Sequence, residues 1–186
     1  MWRRLVENDR AWTAILVGAA MLGLVAIAWG RVPGTVAKEA PRAVAQEGFA
    51  APDFTLIDLQ GGSTTLSQLA GQVVIVNLWA TWCPPCQAEM PALERVWRQY
   101  RDQGLVILAV DQQEPAGRVA TFVEQYDLTF PVLLDADGAV GRLYRLRAYP
   151  TTYFIGRDGI IREVVIGGPM SEALIASTVT RLLAEE

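Results

Sequence analysis

The run VVIVNLWA (residues 73–80) limits the architectures open to this chain more than any other stretch. Asn77 is its one polar member, so the run has no solvent-facing side. A β-branched run of this kind suits a strand covered on both faces. LVILAV (residues 105–110) is a second such run, and between them Leu93, Val96, Trp97 and Tyr100 recur at helical spacing over residues 88–101. Residues 53–59 alternate like a half-buried strand and lead into the turn residues Gly61 and Gly62. Residues 119–126 read as a helix, 130–135 as a short strand and 139–146 as a short helix. TTYFIG and IIREVVIG flank Arg157-Asp158-Gly159, a hairpin signal, and residues 171–184 make a closing helix. The expected fold class is α/β, a mixed central sheet flanked by helices.

A second constraint lies at the front. Residues 11–30, AWTAILVGAAMLGLVAIAWG, carry no charge. A helix of that length spans roughly 30 Å, the thickness of a bilayer's hydrocarbon core. Trp12 and Trp29 stand near its ends, where indoles favour the headgroup boundary. Residues 26–28 (AIA) resemble a signal-peptidase site, but the run is long for a signal peptide and Glu7 and Asp9 dilute the basic head. The expectation is one uncleaved transmembrane helix. Residues 1–10 would be a short cytoplasmic head, 31–47 a tether, and 48–186 the folded domain, held outside the cytoplasm at the cell membrane. From about Gln46 onward the chain has 17 acidic and 10 basic residues. No basic patch of the nucleic-acid-binding kind is present. There is no histidine, which removes the commonest metal ligand and any imidazole base.

The strand of residues 73–80 runs directly into TWCPPCQAEMP, which holds both cysteines of the chain, Cys83 and Cys86. A zinc site would need two further good ligands, so no metal site is expected. A structural staple over so short a loop removes little unfolded-state entropy. Copper(I) between two thiolates is chemically open. The other reading is a dithiol/disulfide couple at a strand-to-helix junction. There the positive end of a helix stabilises the attacking thiolate. Cys83, at the helix start, would be the exposed nucleophile, and Cys86, one turn inward, the resolving thiol. Pro84 suits the first helical turn, where its missing N–H costs little.

WATWCPPC after VVIVNL resembles the active site of the thioredoxin superfamily. Pro91 matches the proline within that family's first helix, and Pro150 in YPTTYFI matches its cis-proline, which faces the cysteines and pairs with a substrate strand. About 39 residues separate Asp111 from Pro150, and DLTFPVLLDADG fills part of that space as an extra helix–strand unit. With the anchor and CQAEMP, residues 48–183 are similar to the TlpA/ResA group of membrane-anchored thiol-disulfide oxidoreductases. The resemblance implies no cofactor beyond a redox-active Cys83–Cys86 disulfide. It implies a glutamate acting near the thiols at Glu89, where partial burial would raise the pKa and let the carboxylate handle the proton of Cys86. Asn77 stands where thioredoxins carry a buried aspartate. Trp82, Tyr149 and Pro150 would form the docking surface, and Trp79 a core contact. Arg142, Arg145 and Arg147 read as a solvated helical face.

The direction of electron flow follows from the residues between the cysteines. Pro84 and Pro85 carry neither charge nor N–H, so the first amide able to donate to Cys83 is that of Cys86. A modestly stabilised thiolate makes the dithiol a reductant. The resemblance implies a protein disulfide as substrate, for example apocytochrome c during cytochrome c maturation, and a membrane thiol-relay protein as electron donor. Two other classes share the fold, a copper(I)-handling thiol chaperone and a peroxiredoxin-like thiol peroxidase. The first usually recruits a histidine, and the second needs Thr or Ser where Ala80 stands.

Overall fold

The computed structural model describes residues 43–185. The expected head and membrane helix lie outside the described residues, as does all of the tether before residue 43. Among the described residues no helix is long and apolar enough to cross a membrane.

Seven strands form one sheet in the order β2-β1-β5-β4-β3-β6-β7. They are β1 (Thr55–Asp58), β2 (Ser63–Thr65), β3 (Val73–Trp79), β4 (Leu105–Gln112), β5 (Val132–Asp135), β6 (Thr151–Ile155) and β7 (Ile161–Ile166). β3 pairs in parallel with β4 and β4 with β5, whereas β6, β7, β1 and β2 join antiparallel. The helices are α1 (Pro84–Tyr100), α2 (Ala116–Gln125), α3 (Ala139–Leu143) and α4 (Glu172–Ala184). Every residue of β3 is buried, Asn77 included, as a run with no solvent-facing side requires.

The pleat divides β3 between two cores. Val73, Ile75 and Trp79 join Met90, Leu93 and Val96 of α1, Val119 and Phe122 of α2, and Ile175, Val179 and Leu182 of α4. Val74, Val76 and Leu78 join Phe54, Leu66, Val140 and Tyr144 on the opposite face. Each such side chain contributes about 1.5–3 kcal/mol on burial. A register slip by one residue would exchange the two sets, so register is strongly specified.

Several boundaries differ from expectation. β2 was not foreseen; Asp58 Oδ1 accepts from the N–H of Gln60 and of Gly62, Gly61 adopts φ 84°, and the chain returns against β1. α1 begins at Pro84 directly after Cys83, as expected from the fit of proline to a first turn, and so extends the apolar periodicity of residues 88–101 by one turn towards the cysteines. α3 stops at Leu143, and Arg145 turns left-handed at φ 52°, so Arg145 and Arg147 are not on a helix. Residues 43–47, assigned to the tether, are tied to the domain: Val44 N–H donates to Ala50 O, and Glu47 accepts from Val164 N–H of β7. The extra helix–strand unit is α2 and β5, inserted between β4 and α3.

Candidate active site

β3 delivers the chain to the N-terminus of α1, where Cys83 is the N-cap in an extended conformation. Cys83 and Cys86 form a disulfide. Cys86 N–H donates to Cys83 Sγ at 3.3 Å, and Gln87 N–H to Cys83 O at 3.0 Å. Pro84 and Pro85 occupy the first two helical positions. The helix end therefore offers its first free amide at Cys86, as the sequence requires. Cys83 is only 3 % exposed, against the expectation of an exposed nucleophile. Its sulfur is directed onto the helix terminus and bonded to Cys86, so little of its surface is left open. The exposed group is Trp82, at 57 %.

Trp82 meets Tyr149 edge to face, with ring centroids 5.3 Å apart. Tyr149 precedes Pro150, and the peptide between them is cis. Pro150 is buried, and its carbonyl accepts from Gly167 N–H at 2.7 Å. A second cis bond, Gly168-Pro169, follows at the end of β7. Gly168 lies between two expected site residues: a methyl group there would come within 2.9 Å of Glu89 Oε2 and 3.0 Å of Pro150 Cγ. The fold thus brings Glu89 and Pro150 together from positions far apart in sequence. Pro91 lies inside α1, and Trp79 is fully buried against Phe122.

Glu89 is fully buried, deeper than partial burial. Its Oε1 accepts from Asn77 Nδ2 at 2.8 Å and its Oε2 from Met170 N–H at 3.1 Å. Asn77 Nδ2 also donates to Thr152 Oγ1 at 2.8 Å, while Asn77 Oδ1 is buried without a partner among the described residues. Burial pushes the Glu89 carboxyl above its ordinary pKa, and the bonds from Met170 and Asn77 only partly offset this.

A second acidic group escaped the sequence reading. Glu114 is buried after β4 and accepts from both the N–H and the hydroxyl of Thr81, at 2.5 and 2.7 Å. Gln87 Nε2 donates to Thr81 O at 2.6 Å, so the loop before Cys83 is held from two sides. Asp111, paired opposite Trp79, is also buried, and burial with the adjacent Glu114 carboxylate pushes its pKa upward. The only hint in the sequence was two acidic residues at the end of a buried strand. Their partner Thr81 becomes visible only once β3 and β4 are aligned.

A family model described as "AhpC/TSA family" matches residues 48–164. Thiol-disulfide oxidoreductase ResA of Halalkalibacterium halodurans is 41 % identical over 136 residues, 73 % of this chain and 77 % of that protein. Thioredoxin-like protein YneN of Bacillus subtilis is 41 % identical over 125 residues, 66 % of this chain and 72 % of that protein. Among solved structures, a secreted Mycobacterium tuberculosis disulfide oxidoreductase homologous to E. coli DsbE superposes with TM-score 0.64 at 29 % identity. That match covers 69 % of this chain and 96 % of the other. A disulfide between two cysteines at the start of a helix, in a thioredoxin-like fold, agrees with the thiol-disulfide activity in the names of these relatives. The chain belongs to the AhpC/TSA family, as a thiol-disulfide oxidoreductase of the ResA kind.

Proposed function

We propose that this oxidoreductase runs as a reductase of protein disulfides on the outer side of the cell membrane, held there by residues 11–30. The observation that carries the direction is the single amide bond, Cys86 N–H to Cys83 Sγ, at a helix terminus otherwise stripped of donors by Pro84 and Pro85. With so few donors, the Cys83 thiolate is stabilised less than in a strong oxidant, whose thiol is held far below its ordinary pKa. The Cys83 thiolate attacks the substrate disulfide and releases one substrate thiolate, forming a mixed disulfide. The Cys86 thiolate then attacks Cys83 Sγ and releases the second. Two electrons leave the dithiol, and the Cys83–Cys86 disulfide of this structure is the product state. Trp82, Tyr149 and Pro150 seat the substrate strand beside the pair.

Glu89 takes the proton of Cys86, and Asn77 equips it to hold that proton. As a carboxylate, Glu89 accepts from Asn77 Nδ2. Once protonated it becomes a donor and needs an acceptor. Rotating the Asn77 amide by half a turn puts Oδ1 where Nδ2 was, able to accept from both Glu89 and the Thr152 hydroxyl. Asn77 thus serves both charge states of its neighbour without ionising.

Apocytochrome c, whose cysteines must be reduced before haem attachment, fits as acceptor, and a membrane thiol-relay protein as donor. No cofactor is needed besides the cysteine pair. Equilibration with glutathione tests the direction: a pair that stays reduced in mildly oxidising glutathione is an oxidant and defeats this reading. A Cys86→Ala trap should freeze the mixed disulfide on Cys83 and identify the acceptor by mass spectrometry.

A further inference from the structure

The described domain is acidic, with ten basic residues against sixteen acidic ones. Six of its arginines have carboxylate partners within ion-pair distance. Arg142, Arg145 and Arg147 have none, and all three are exposed within six residues of chain leading to Tyr149 and Pro150. Arg142 spends one bond on a backbone oxygen, that of Asp137, at 2.8 Å. Two carboxylates close to them in the chain are otherwise engaged. Asp135 accepts from the N–H groups of Val140 and Gly141, and Asp137 from that of Ala139.

The three guanidinium groups line a groove of about 520 Å³ with Gln112, Gln113 and Tyr149. Gln112 supplies an independent observation. It is only 4 % exposed, yet its Nε2 has no partner among the described residues. A buried amide left without an acceptor is costly and uncommon in folded proteins. Its position is held by Gly141, where a methyl group would overlap Gln112 Oε1. Gln113 and Arg145 line the same groove in left-handed conformation, at φ 61° and 52°, two of three such non-glycine residues among those described. Side chains rarely adopt that backbone, and such residues concentrate at functional sites.

The three guanidinium groups lack carboxylate partners, and the Gln112 amide lacks any acceptor among the described residues. The complement is a ligand rich in carboxylates. Tyr149 joins the groove to Trp82, 5.3 Å away, and so to the cysteines. We propose that this groove docks an acidic segment of the protein substrate, lying a few residues from its disulfide in sequence. The proposal rests on the disulfide-reductase reading for the partner's nature. A nucleic acid is disfavoured, because a long polyanion would also meet the net negative charge of the rest of the domain.

The test is binding of a labelled, cysteine-free peptide carrying four glutamates to the full-length disulfide form, followed by fluorescence anisotropy. The reference is the same peptide with glutamines. The acidic peptide should bind at least about tenfold more tightly at low salt, with the advantage shrinking as the Debye length falls towards about 8 Å. The triple variant R142Q/R145Q/R147Q should abolish the preference, and R157Q, which removes an unpaired arginine outside the groove, should leave it. Equal binding of both peptides, or a preference that survives in the triple variant, overturns the proposal. An oligonucleotide bound more tightly than the acidic peptide overturns the assignment to protein. Because the peptides lack cysteine, none of these outcomes depends on disulfide exchange. Failure to reduce a neutral cystine peptide would sink the reductase reading and leave the groove result standing.

Discussion

At the residue scale the decisive group is Glu89. It is a carboxyl with no exposed surface and two donors facing it, to which we assign the proton of Cys86. Glu89→Gln should lower disulfide-exchange rates near neutral pH by on the order of 10²-fold, the range for a positioned proton acceptor. It should also remove one step from the Cys86 thiol titration; unchanged curves and rates would leave Glu89 without a role in proton transfer. Asn77→Ala should act oppositely on the carboxyl. It removes a bond that lowers the Glu89 pKa, so that pKa rises further and the pH–rate profile moves to higher pH. Leaving Glu89 and Thr152 short of a partner should also cost about 1–3 kcal/mol in urea melts.

At the scale of elements, the N-terminus of α1 and the β7–α4 connection control the site. Pro85→Ala returns an N–H to the first turn of α1. The Cys83 thiol pKa should fall, and equilibrium with glutathione should shift towards the dithiol, making the protein more oxidising. An unchanged equilibrium would show that the missing donors do not set the direction. Gly168→Ala should press a methyl group on Glu89 Oε2 and Pro150 together. Overpacking of this kind costs about 1–3 kcal/mol, and because it falls on both site residues, exchange rates should drop along with the melting temperature. β3, α1 and the β6–β7 hairpin were legible beforehand, because burial on both faces and a turn triplet are local patterns. β2 was not: three residues, STT, carry no periodicity, and only the Asp58 turn folds them back onto β1.

At the scale of the whole molecule, two buried carboxyl groups with raised pKa make stability depend on pH. Glu89 and Asp111 keep protons in the folded state that the unfolded chain has already released above about pH 4. The native state then binds more protons, so stability is full below the unfolded pKa and is lost as pH rises towards the raised values. The slope reaches up to about 1.4 kcal/mol per pH unit for each group inside its window. Urea melts of the disulfide form should show this decline between mildly acidic and mildly alkaline pH, and Glu89→Gln with Asp111→Asn should flatten it. A wild-type profile that rises over that range would refute the assignment of both groups.

The sequence by itself determined the α/β class, the order of most elements, the cysteine pair at a helix start and the absence of donors between Cys83 and Cys86. These follow from local chemistry: apolar periodicity, turn residues and proline's missing N–H. Only the tertiary structure decided how deeply Glu89 is buried, that Gly168 lies between it and Pro150, that Glu114 holds Thr81, and that Arg142, Arg145 and Arg147 share a groove with Gln112, whose Nε2 has no partner among the described residues. Burial and hydrogen-bond partners depend on residues distant in the chain, such as Asn77 with Thr152 and Glu89 with Met170, and no local pattern encodes those pairings.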